Sequence, residues 1–228
     1  MKVSLFEHIF NIIDKYYHFK NISIYLRKLK INTIIDVGFH KGEFIDNNFF
    51  LKKKKIYAFE PNPKIYNYSK KKFKNKKKIK IFNYCLSDKR ENRKFYINYL
   101  SSTSSLFNNS KLYDSFKKIL LNKKELRYSI NLRTVTLDYA IMKNKINLRN
   151  VLLKIDTEGA EYPVLIGIKK NITKISYVLL ENKFFIKNSF LNRKKIDFFL
   201  FKNNFILIRR FIYPLLNFED RLYAKKYL

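Results

Sequence analysis

Cysteine, glycine, proline and tryptophan are all scarce in this chain. Its 228 residues include one cysteine, four glycines, four prolines and no tryptophan. The single cysteine, Cys85, excludes an intramolecular disulfide and is typical of proteins in a reducing compartment. So little glycine and proline excludes a collagen-like or linker-rich chain. With 46% hydrophobic residues, the sequence instead predicts a packed globular domain.

Long apolar runs are also missing. No uncharged stretch has the length of a membrane span, and the N-terminus lacks the basic and apolar regions of a secretory signal. We therefore expect a cytoplasmic protein. Leu5–Tyr17 has the apolar spacing of an amphipathic helix, and Ile22–Leu29 predicts a second helix. We expect a helical segment over residues 1–32 and a single domain over residues 33–228.

Acidic residues are few, with 18 Asp and Glu against 49 Lys and Arg, which gives a formal charge of +31. Lysines concentrate at Lys52–Lys55 and Lys70–Lys80, and such blocks can bind phosphates of nucleic acid or anionic lipid. The chain is also rich in Asn and Ile and poor in Ala, so we favour compositional drift over nucleic-acid binding. Under either interpretation, the charge favours an anionic substrate.

Several catalytic motifs are absent. His8, His18 and His40 have no zinc-binding spacing, and Cys85 has no partner cysteine. The sequence contains no Gly-x-Ser-x-Gly elbow and no Ser-His-Asp set, so it gives no support for hydrolytic chemistry.

Two of the four glycines lie in the segment Thr33–Phe44, which reads T-I-I-D-V-G-F-H-K-G-E-F. A β-branched run ending in glycine is typical of a buried strand that turns sharply into a helix. Such a turn either cradles a phosphate or holds the amino-acid end of S-adenosylmethionine. The full G-x-G-x-x-G pattern and the P-loop Lys-Ser/Thr pair are absent, which favours the second interpretation. Cofactor contacts are then expected from Asp36, Gly38, His40 and Gly42.

A further acid follows Gly42 by eighteen residues. In the run I-Y-A-F-E-P-N-P, Glu60 falls at the end of the predicted strand Ile56–Glu60. A carboxylate at that position can accept both hydroxyls of an adenosine ribose. Paired with the glycine turn, Glu60 favours a nucleoside ligand.

The predicted elements alternate between strands and helices. Strands are predicted near Thr33 and at Ile56–Glu60, Ile79–Tyr84, Leu152–Ile155, Ser176–Leu180, Phe205–Arg209 and Arg221–Lys226. The order predicts an α/β fold with a Rossmann-like, doubly wound sheet and helices on both faces. A hairpin between the last two strands would make it a mixed seven-stranded sheet. Ligands of such sheets bind outside the carboxyl ends of the strands.

Between the third strand and the second half of the sheet lies an irregular region. Asp88 either meets an adenine edge or begins a turn. Lys94–Tyr99 predicts an added strand, Ser101–Ser105 a flexible polar loop, and Leu112–Leu126 a helix. We expect residues 100–133 to form a lid over the substrate.

Three carboxylates fall within six residues in a second motif, Leu152–Glu161, which reads L-L-K-I-D-T-E-G-A-E. Asp156, Glu158 and Glu161 follow a predicted buried strand, and Gly159 permits a tight turn into a helix. Acids at a helix N-terminus often only cap it, and one or two of these can do so. Their alternative is to bind a sulfonium, a substrate hydroxyl or a divalent cation. We favour a functional role for Asp156, which is nearest the strand end.

These segments resemble the FkbM family of S-adenosylmethionine-dependent methyltransferases. The matching motifs are D-V-G-F-H-K-G-E-F at Asp36–Phe44, A-F-E-P-N-P at Ala58–Pro63, L-S-D at Leu86–Asp88, S-S-L at Ser104–Leu106, T-L-D at Thr136–Asp138 and L-L-K-I-D-T-E-G-A-E at Leu152–Glu161. The last is the most specific to the family. Phe39-His40 stands where the family commonly has Ala-Asn. The resemblance implies a class I methyltransferase fold, S-adenosylmethionine as cofactor, and an acceptor hydroxyl on a sugar, glycan or secondary metabolite.

In that chemistry a base must take the proton of the acceptor hydroxyl. Asp156 is our candidate base, with Glu158 and Glu161 in support. The expected cofactor-binding residues are Asp36, Gly38, His40, Gly42, Glu60, Asp88 and Asp156. A metal-assisted version would instead place a divalent cation such as Mg²⁺ on Asp156, Glu181 and Asn182.

Two other functions also fit the sequence. An RNA methyltransferase would use the lysine runs as a phosphate track, although the N/D-P-P-F/Y signature of amino-group methylation is absent. A non-catalytic domain would keep the nucleoside pocket and would not need Asp156.

Overall fold

The computed structural model describes residues 19–98, 101–107, 128–183, 189–213 and 218–226. The helices predicted at Leu5–Tyr17 and Leu112–Leu126 lie outside these ranges. No helix within them has the length and hydropathy of a membrane span.

The described strands and helices follow the predicted alternation. The strands are β1 Thr33–Val37, β2 Lys55–Phe59, β3 Ile79–Phe82, β4 Cys85–Leu86, β5 Asn92–Ile97, β6 Tyr128–Val135, β7 Val151–Ile155, β8 Ile175–Lys183, β9 Phe205–Tyr213 and β10 Phe218–Lys225. The α-helices are α1 Phe19–Leu26, α2 Glu43–Asn47, α3 Pro63–Lys72, α4 Leu137–Lys143, α5 Glu161–Ile166 and α6 Ser189–Lys202. Short 3₁₀ turns occur at Phe49–Lys53, Ser101–Thr103 and Ile172–Lys174.

Seven strands form one mixed sheet in the order β3-β2-β1-β7-β8-β10-β9. From β3 to β8 neighbouring strands are parallel, whereas β10 is antiparallel to both β8 and β9. The predicted mixed seven-stranded α/β sheet is therefore confirmed, including the antiparallel pairing of its last two strands. Strand order reverses between β1 and β7, and their carboxyl ends lie side by side. The strands β4, β6 and β5 form a separate small sheet.

Two apolar cores cover the two faces of the main sheet. Successive residues of β1 point to opposite faces, so Ile35 packs with α4, α5 and α6 while Ile34 packs with α1 and α2. The same alternation places Leu153 and Leu152 of β7 in the two different cores. A strand buried on both faces needs apolar residues throughout, which explains the continuous apolar runs seen in the sequence.

Some elements differ from the predicted boundaries. Helix α2, which follows the first glycine turn, ends at Asn47, where the Asn48 side chain donates a hydrogen bond to the Phe44 carbonyl at 2.8 Å. Strand β10 begins three residues before the predicted Arg221. Two of its three added residues are acidic, but Glu219 is buried in ion pairs with arginines, including Arg210 at 2.7 Å.

Candidate functional site

The two glycine-containing turns lie against each other at the carboxyl edge of the sheet. Val37 of β1 pairs with Ile155 of β7, and the Asp156 amide donates to the Val37 carbonyl at 3.0 Å. Gly38 has a φ of +82°, and a Cβ on it would lie 1.8 Å from the Asp156 carbonyl oxygen. Only glycine fits there, so the close approach of the two turns explains why Gly38 is needed.

Gly42 has a packing role in the first turn. Its φ is +79°, and a Cβ on it would lie 2.5 Å from the ring of Phe73. Gly42 is the N-cap residue of α2, and its contact with Phe73 keeps the turn close to the body of the domain.

A cavity of about 590 Å³ opens where the two turns meet. This volume is within the usual range for small-molecule sites. Of the predicted site residues, those that line the cavity are Gly38, His40, Glu60, Asp156, Glu158 and Glu181. Those that do not line it are Asp36, Gly42, Asp88, Glu161 and Asn182.

Glu60 is held in a fixed orientation beside the cavity. It is only 5% exposed, and its two oxygens accept hydrogen bonds from the backbone amides of His40 at 2.8 Å and Asn62 at 2.9 Å. Burial raises the pKa of Glu60, although both amides favour its ionised form. Each carboxylate oxygen has a second lone pair, so the group can still accept hydrogen bonds from a ligand hydroxyl.

Next to Glu60 the cavity has an apolar wall. Phe59 and Tyr84 line it with Pro61, and Phe82 stacks against Phe59 with ring centroids 5.4 Å apart. The Phe82 and Tyr84 rings are also stacked, at 6.0 Å. A wall of stacked rings beside a hydroxyl-binding carboxylate suits the planar base and ribose of a nucleoside.

Asp88 lies away from this wall. Its Oδ1 accepts hydrogen bonds from Ser87 at 2.9 Å and from Arg93 at 3.0 Å. Its neighbours Cys85 and Leu86 line the cavity instead. Of the two interpretations left open by the sequence, this geometry matches the turn rather than an adenine contact.

Lys154 links the carboxylates of the two turns. Its Nζ lies 3.3 Å from Asp36 Oδ1 and 3.3 Å from Asp156 Oδ2. Asp36 is fully buried, and burial raises its pKa to about 6 while Lys154 opposes that rise. Burial favours the neutral amine of Lys154, but Asp36, Asp156 and Glu181 together raise its pKa. Lys154 was not among the site residues predicted from the sequence. The signal was a lysine inside an otherwise apolar buried strand.

Asp156, Glu158 and Glu181 form an acidic cluster on the cavity wall. One carboxylate oxygen of each lies within 4.8 Å of the others. The predicted metal set contained Asn182 instead of Glu158. The Asn182 amide donates to Glu219 at 3.2 Å, away from the cavity.

Glu161 stabilises the second turn from inside the protein. Its Oε1 accepts hydrogen bonds from the amides of Thr157 at 3.0 Å and Gly159 at 2.9 Å. Glu158 lies between them with a φ of +56°. Glu161 thus positions Asp156 and Glu158 and is not exposed to the cavity.

The segment 101–107 crosses the cavity and is bound to both turns. His40 Nε2 is hydrogen-bonded to Ser101 Oγ at 2.7 Å, and His40 Nδ1 to Glu43 at 3.1 Å. At the other end, Ser105 Oγ donates to the Glu158 carbonyl at 2.9 Å. We predicted a flexible loop at Ser101–Ser105, whereas the structure shows a 3₁₀ turn anchored at both ends.

The charge of the cavity is opposite to that of the chain. Its acidic lining residues are Glu43, Glu60, Asp156, Glu158, Glu181 and Asp220, against one lysine, Lys154, and one histidine, His40. The lysine runs lie elsewhere. Lys55 begins β2, and Lys78, just before β3, donates to the Lys53 carbonyl at 3.0 Å. Lys55 and Lys78 therefore lie at the amino ends of these strands, across the sheet from the cavity, whereas Lys72 donates to the Lys41 carbonyl of the first turn at 2.8 Å.

The sheet order, with the cavity at the carboxyl ends of β1, β2 and β7, defines the class I methyltransferase fold. The methyltransferase FkbM domain matches residues 36–212, which is most of the chain. The chain belongs to the FkbM family of methyltransferases, and its cofactor is S-adenosylmethionine.

Solved structures with a similar fold share little sequence with this chain. Magnesium protoporphyrin IX methyltransferase from Synechocystis PCC 6803, solved with bound S-adenosylmethionine, has a TM-score of 0.51 and 10% identity over 99% of this chain and 86% of its own. The ribosomal protein L11 methylase from Lactobacillus delbrueckii subsp. bulgaricus has a TM-score of 0.48 and 11% identity, over 92% of this chain and 78% of its own. A methyltransferase from Aquifex aeolicus has a TM-score of 0.48 and 11% identity, over 92% of this chain and 90% of its own. No curated protein matches the chain in sequence.

Proposed function

We propose that this protein transfers the methyl group of S-adenosylmethionine to a hydroxyl of an uncharged sugar, glycan or secondary metabolite. The observation that carries the proposal is the acidic cavity into which both glycine turns open. One half of the cavity, at β1 and β2, is suited to binding a nucleoside, and the other half, at β7 and β8, is rich in carboxylates.

The donor half contains Gly38, Glu60 and the aromatic wall. Glu60 would accept the two ribose hydroxyls, and the apolar wall of Phe59 and Tyr84 would pack against adenine. The acids of the second turn would attract the two cationic groups of S-adenosylmethionine, its sulfonium and its ammonium. S-adenosylmethionine supplies an activated methyl group, so the protein has to bind and orient the two reactants.

The acceptor half contains Asp156, Glu158 and Glu181. In the proposed reaction Asp156 accepts the hydroxyl proton as the acceptor oxygen bonds to the methyl carbon and the methyl–sulfur bond breaks. Lys154 keeps Asp156 in place. The neighbouring acids would accept hydrogen bonds from further hydroxyls, and they would repel phosphate or carboxylate groups.

The same charges argue against RNA as the acceptor. A phosphate track should lead into the site, but none of the described lysines of the two runs lines the cavity, and the cavity wall is acidic.

The proposal can be tested by labelled methyl transfer to neutral sugars, phosphorylated sugars and RNA. We expect incorporation into a neutral hydroxyl acceptor and its loss in Asp156→Asn, which should still bind S-adenosylhomocysteine. Asp88→Asn, an acid outside the cavity, is the matched control and should keep its activity. Incorporation into RNA would support the rival function. Full activity of Asp156→Asn would exclude Asp156 as the base, and activity lost in EDTA but restored by Mg²⁺ would favour the metal-assisted version.

A further inference from the structure

Helix α6 has an exposed face that mixes large apolar residues with lysines. Its apolar members are Leu191, Phe198 and Phe201, which are 54%, 60% and 75% exposed. Its basic members are the exposed residues Lys194, Lys195 and Lys202. We call these six residues the α6 face.

The α6 face is continuous along the helix. At roughly 100° per residue its six members fall within an arc of about 120°. Phe198 and Leu191 lie near the middle, with Lys194 on one side and Lys195 and Lys202 on the other. The opposite side of the helix packs inward through Ile196 and Leu200, which are buried in the core.

The only acid of α6 points away from this face. Asp197 Oδ1 accepts hydrogen bonds from Arg221 and from the Tyr223 hydroxyl, both at 2.6 Å. The exposed face therefore contains lysine and no acidic residue, so its charge has a single sign.

A shallow groove of about 370 Å³ lies along the same face, between α5 and α6. It is lined by Tyr162, Ile166, Lys169, Phe198, Phe199, Lys202 and Asn203. Lys202 Nζ lies 4.5 Å from the centroid of the Phe198 ring, and Lys195 Nζ lies 5.7 Å from that of Tyr162. Ammonium groups thus lie next to the exposed ring of Phe198 and the partly buried ring of Tyr162.

We propose that the α6 face is a docking surface for the anionic headgroups of a lipid bilayer. Phe and Leu enter the boundary between headgroups and acyl chains, while flanking lysines bind the phosphates. The surface goes beyond the proposed methyl transfer and does not depend on the acceptor.

The composition of the α6 face favours a lipid bilayer over a second copy of the chain or a nucleic acid. Two copies of the chain that met through the α6 face would bring like-charged lysines together, with no acid on that face to balance them. A nucleic-acid phosphate track would place basic rather than apolar side chains at the centre of the contact.

Flotation of the full-length protein with vesicles tests the proposal. We expect binding to phosphatidylcholine vesicles that contain phosphatidylglycerol and little binding to phosphatidylcholine alone. The double variant Phe198→Ser/Phe201→Ser should lose about tenfold or more in affinity, because both apolar contacts are removed. The triple variant Lys194→Gln/Lys195→Gln/Lys202→Gln should lose affinity by a similar factor. Its remaining vesicle binding should not depend on salt concentration.

Matched controls separate this face from the general positive charge. Phe49→Ser/Met142→Ser removes two apolar side chains exposed elsewhere, and Lys74→Gln/Lys76→Gln/Lys77→Gln removes the same charge from a lysine run. Both controls should bind anionic vesicles as the wild type does. Equal losses in controls and α6 variants would overturn the proposal. Three other results would also overturn it. The first is equal binding to neutral and anionic vesicles, and the second is a dimer that dissociates in Phe198→Ser/Phe201→Ser. The third is an absence of vesicle binding together with RNA binding that the α6 variants lose.

Discussion

Lys154 is the residue that compensates the negative charge of the carboxylates around it in the site. It lies between Asp36 and Asp156 and is largely buried with them. Removing one partner of a buried ion pair leaves the other charge without compensation.

We therefore expect Lys154→Met to lower the free energy of unfolding by about 3–5 kcal/mol at neutral pH. The double variant Asp36→Asn/Lys154→Met removes both charges and should recover most of that loss. Denaturant unfolding of the three proteins measures both effects. A double variant no more stable than Lys154→Met would show that lost packing, not charge, causes the destabilisation.

Asp36 should also make stability depend on pH. Its pKa is raised from 3.8 to about 6 in the folded protein. Between those values the folded state keeps a proton that the unfolded state has released, so stability falls as pH rises through this range.

Asp36→Asn lacks this titration. Relative to the wild type, its free energy of unfolding should therefore increase from about pH 4 to about pH 6, by up to about 3 kcal/mol, and stay constant above that. Urea unfolding at several pH values gives the difference. A difference independent of pH would contradict the burial argument for Asp36.

The elements around the cavity are joined by the segment 101–107. Ser101 is hydrogen-bonded to His40 at one end, and Ser105 to Glu158 at the other. Each contact joins positions more than fifty residues apart in sequence.

We expect His40→Ala and Ser105→Ala to loosen this segment without unfolding the sheet. Amide hydrogen exchange of residues 101–107 should become at least about fivefold faster, corresponding to loss of a hydrogen bond of about 1 kcal/mol or more. Exchange in β1 and β7 should not change. Ser102→Ala, in the same segment, is the control, and an equal effect there would rule out the anchoring role.

Much of this architecture could be predicted from local patterns. The apolar runs of β1 and β7 and the glycine turns after them indicated the central strands and the edge that binds ligand. Contacts that depend on distant residues could not be predicted in this way. The position of Lys154 opposite Asp36, the His40–Ser101 bond and the buried charges of β10 all require the folded sheet. Glu161 was predicted as a catalytic residue from its spacing, but its position inside the turn depends on how the backbone bends.

At the scale of the whole molecule, the acidic cavity is opposite in charge to the strongly basic chain. Lysines of both runs lie at the amino ends of β2 and β3, whereas acids line the cavity at the opposite edge. The net charge of the chain therefore does not describe the environment of a bound acceptor, and the sequence-based expectation of an anionic substrate does not match the cavity.

We expect Lys74→Gln/Lys76→Gln/Lys77→Gln to leave kcat/KM for a neutral acceptor within about twofold, because these charges lie across the sheet and are screened at physiological salt. Glu181→Gln, which changes one charge inside the cavity, should alter KM much more. A large loss in the lysine variant would instead support a basic track for a polyanionic acceptor.

The central claim is that the two turns form one pocket in which Glu60 binds the methyl donor. Calorimetric titration of S-adenosylhomocysteine into the wild type, Glu60→Ala and the control Asp88→Ala tests it most directly. Loss of hydrogen bonds to a charged acceptor should weaken binding to Glu60→Ala by at least about tenfold and leave Asp88→Ala close to the wild type. Equal affinity of Glu60→Ala and the wild type would contradict the account.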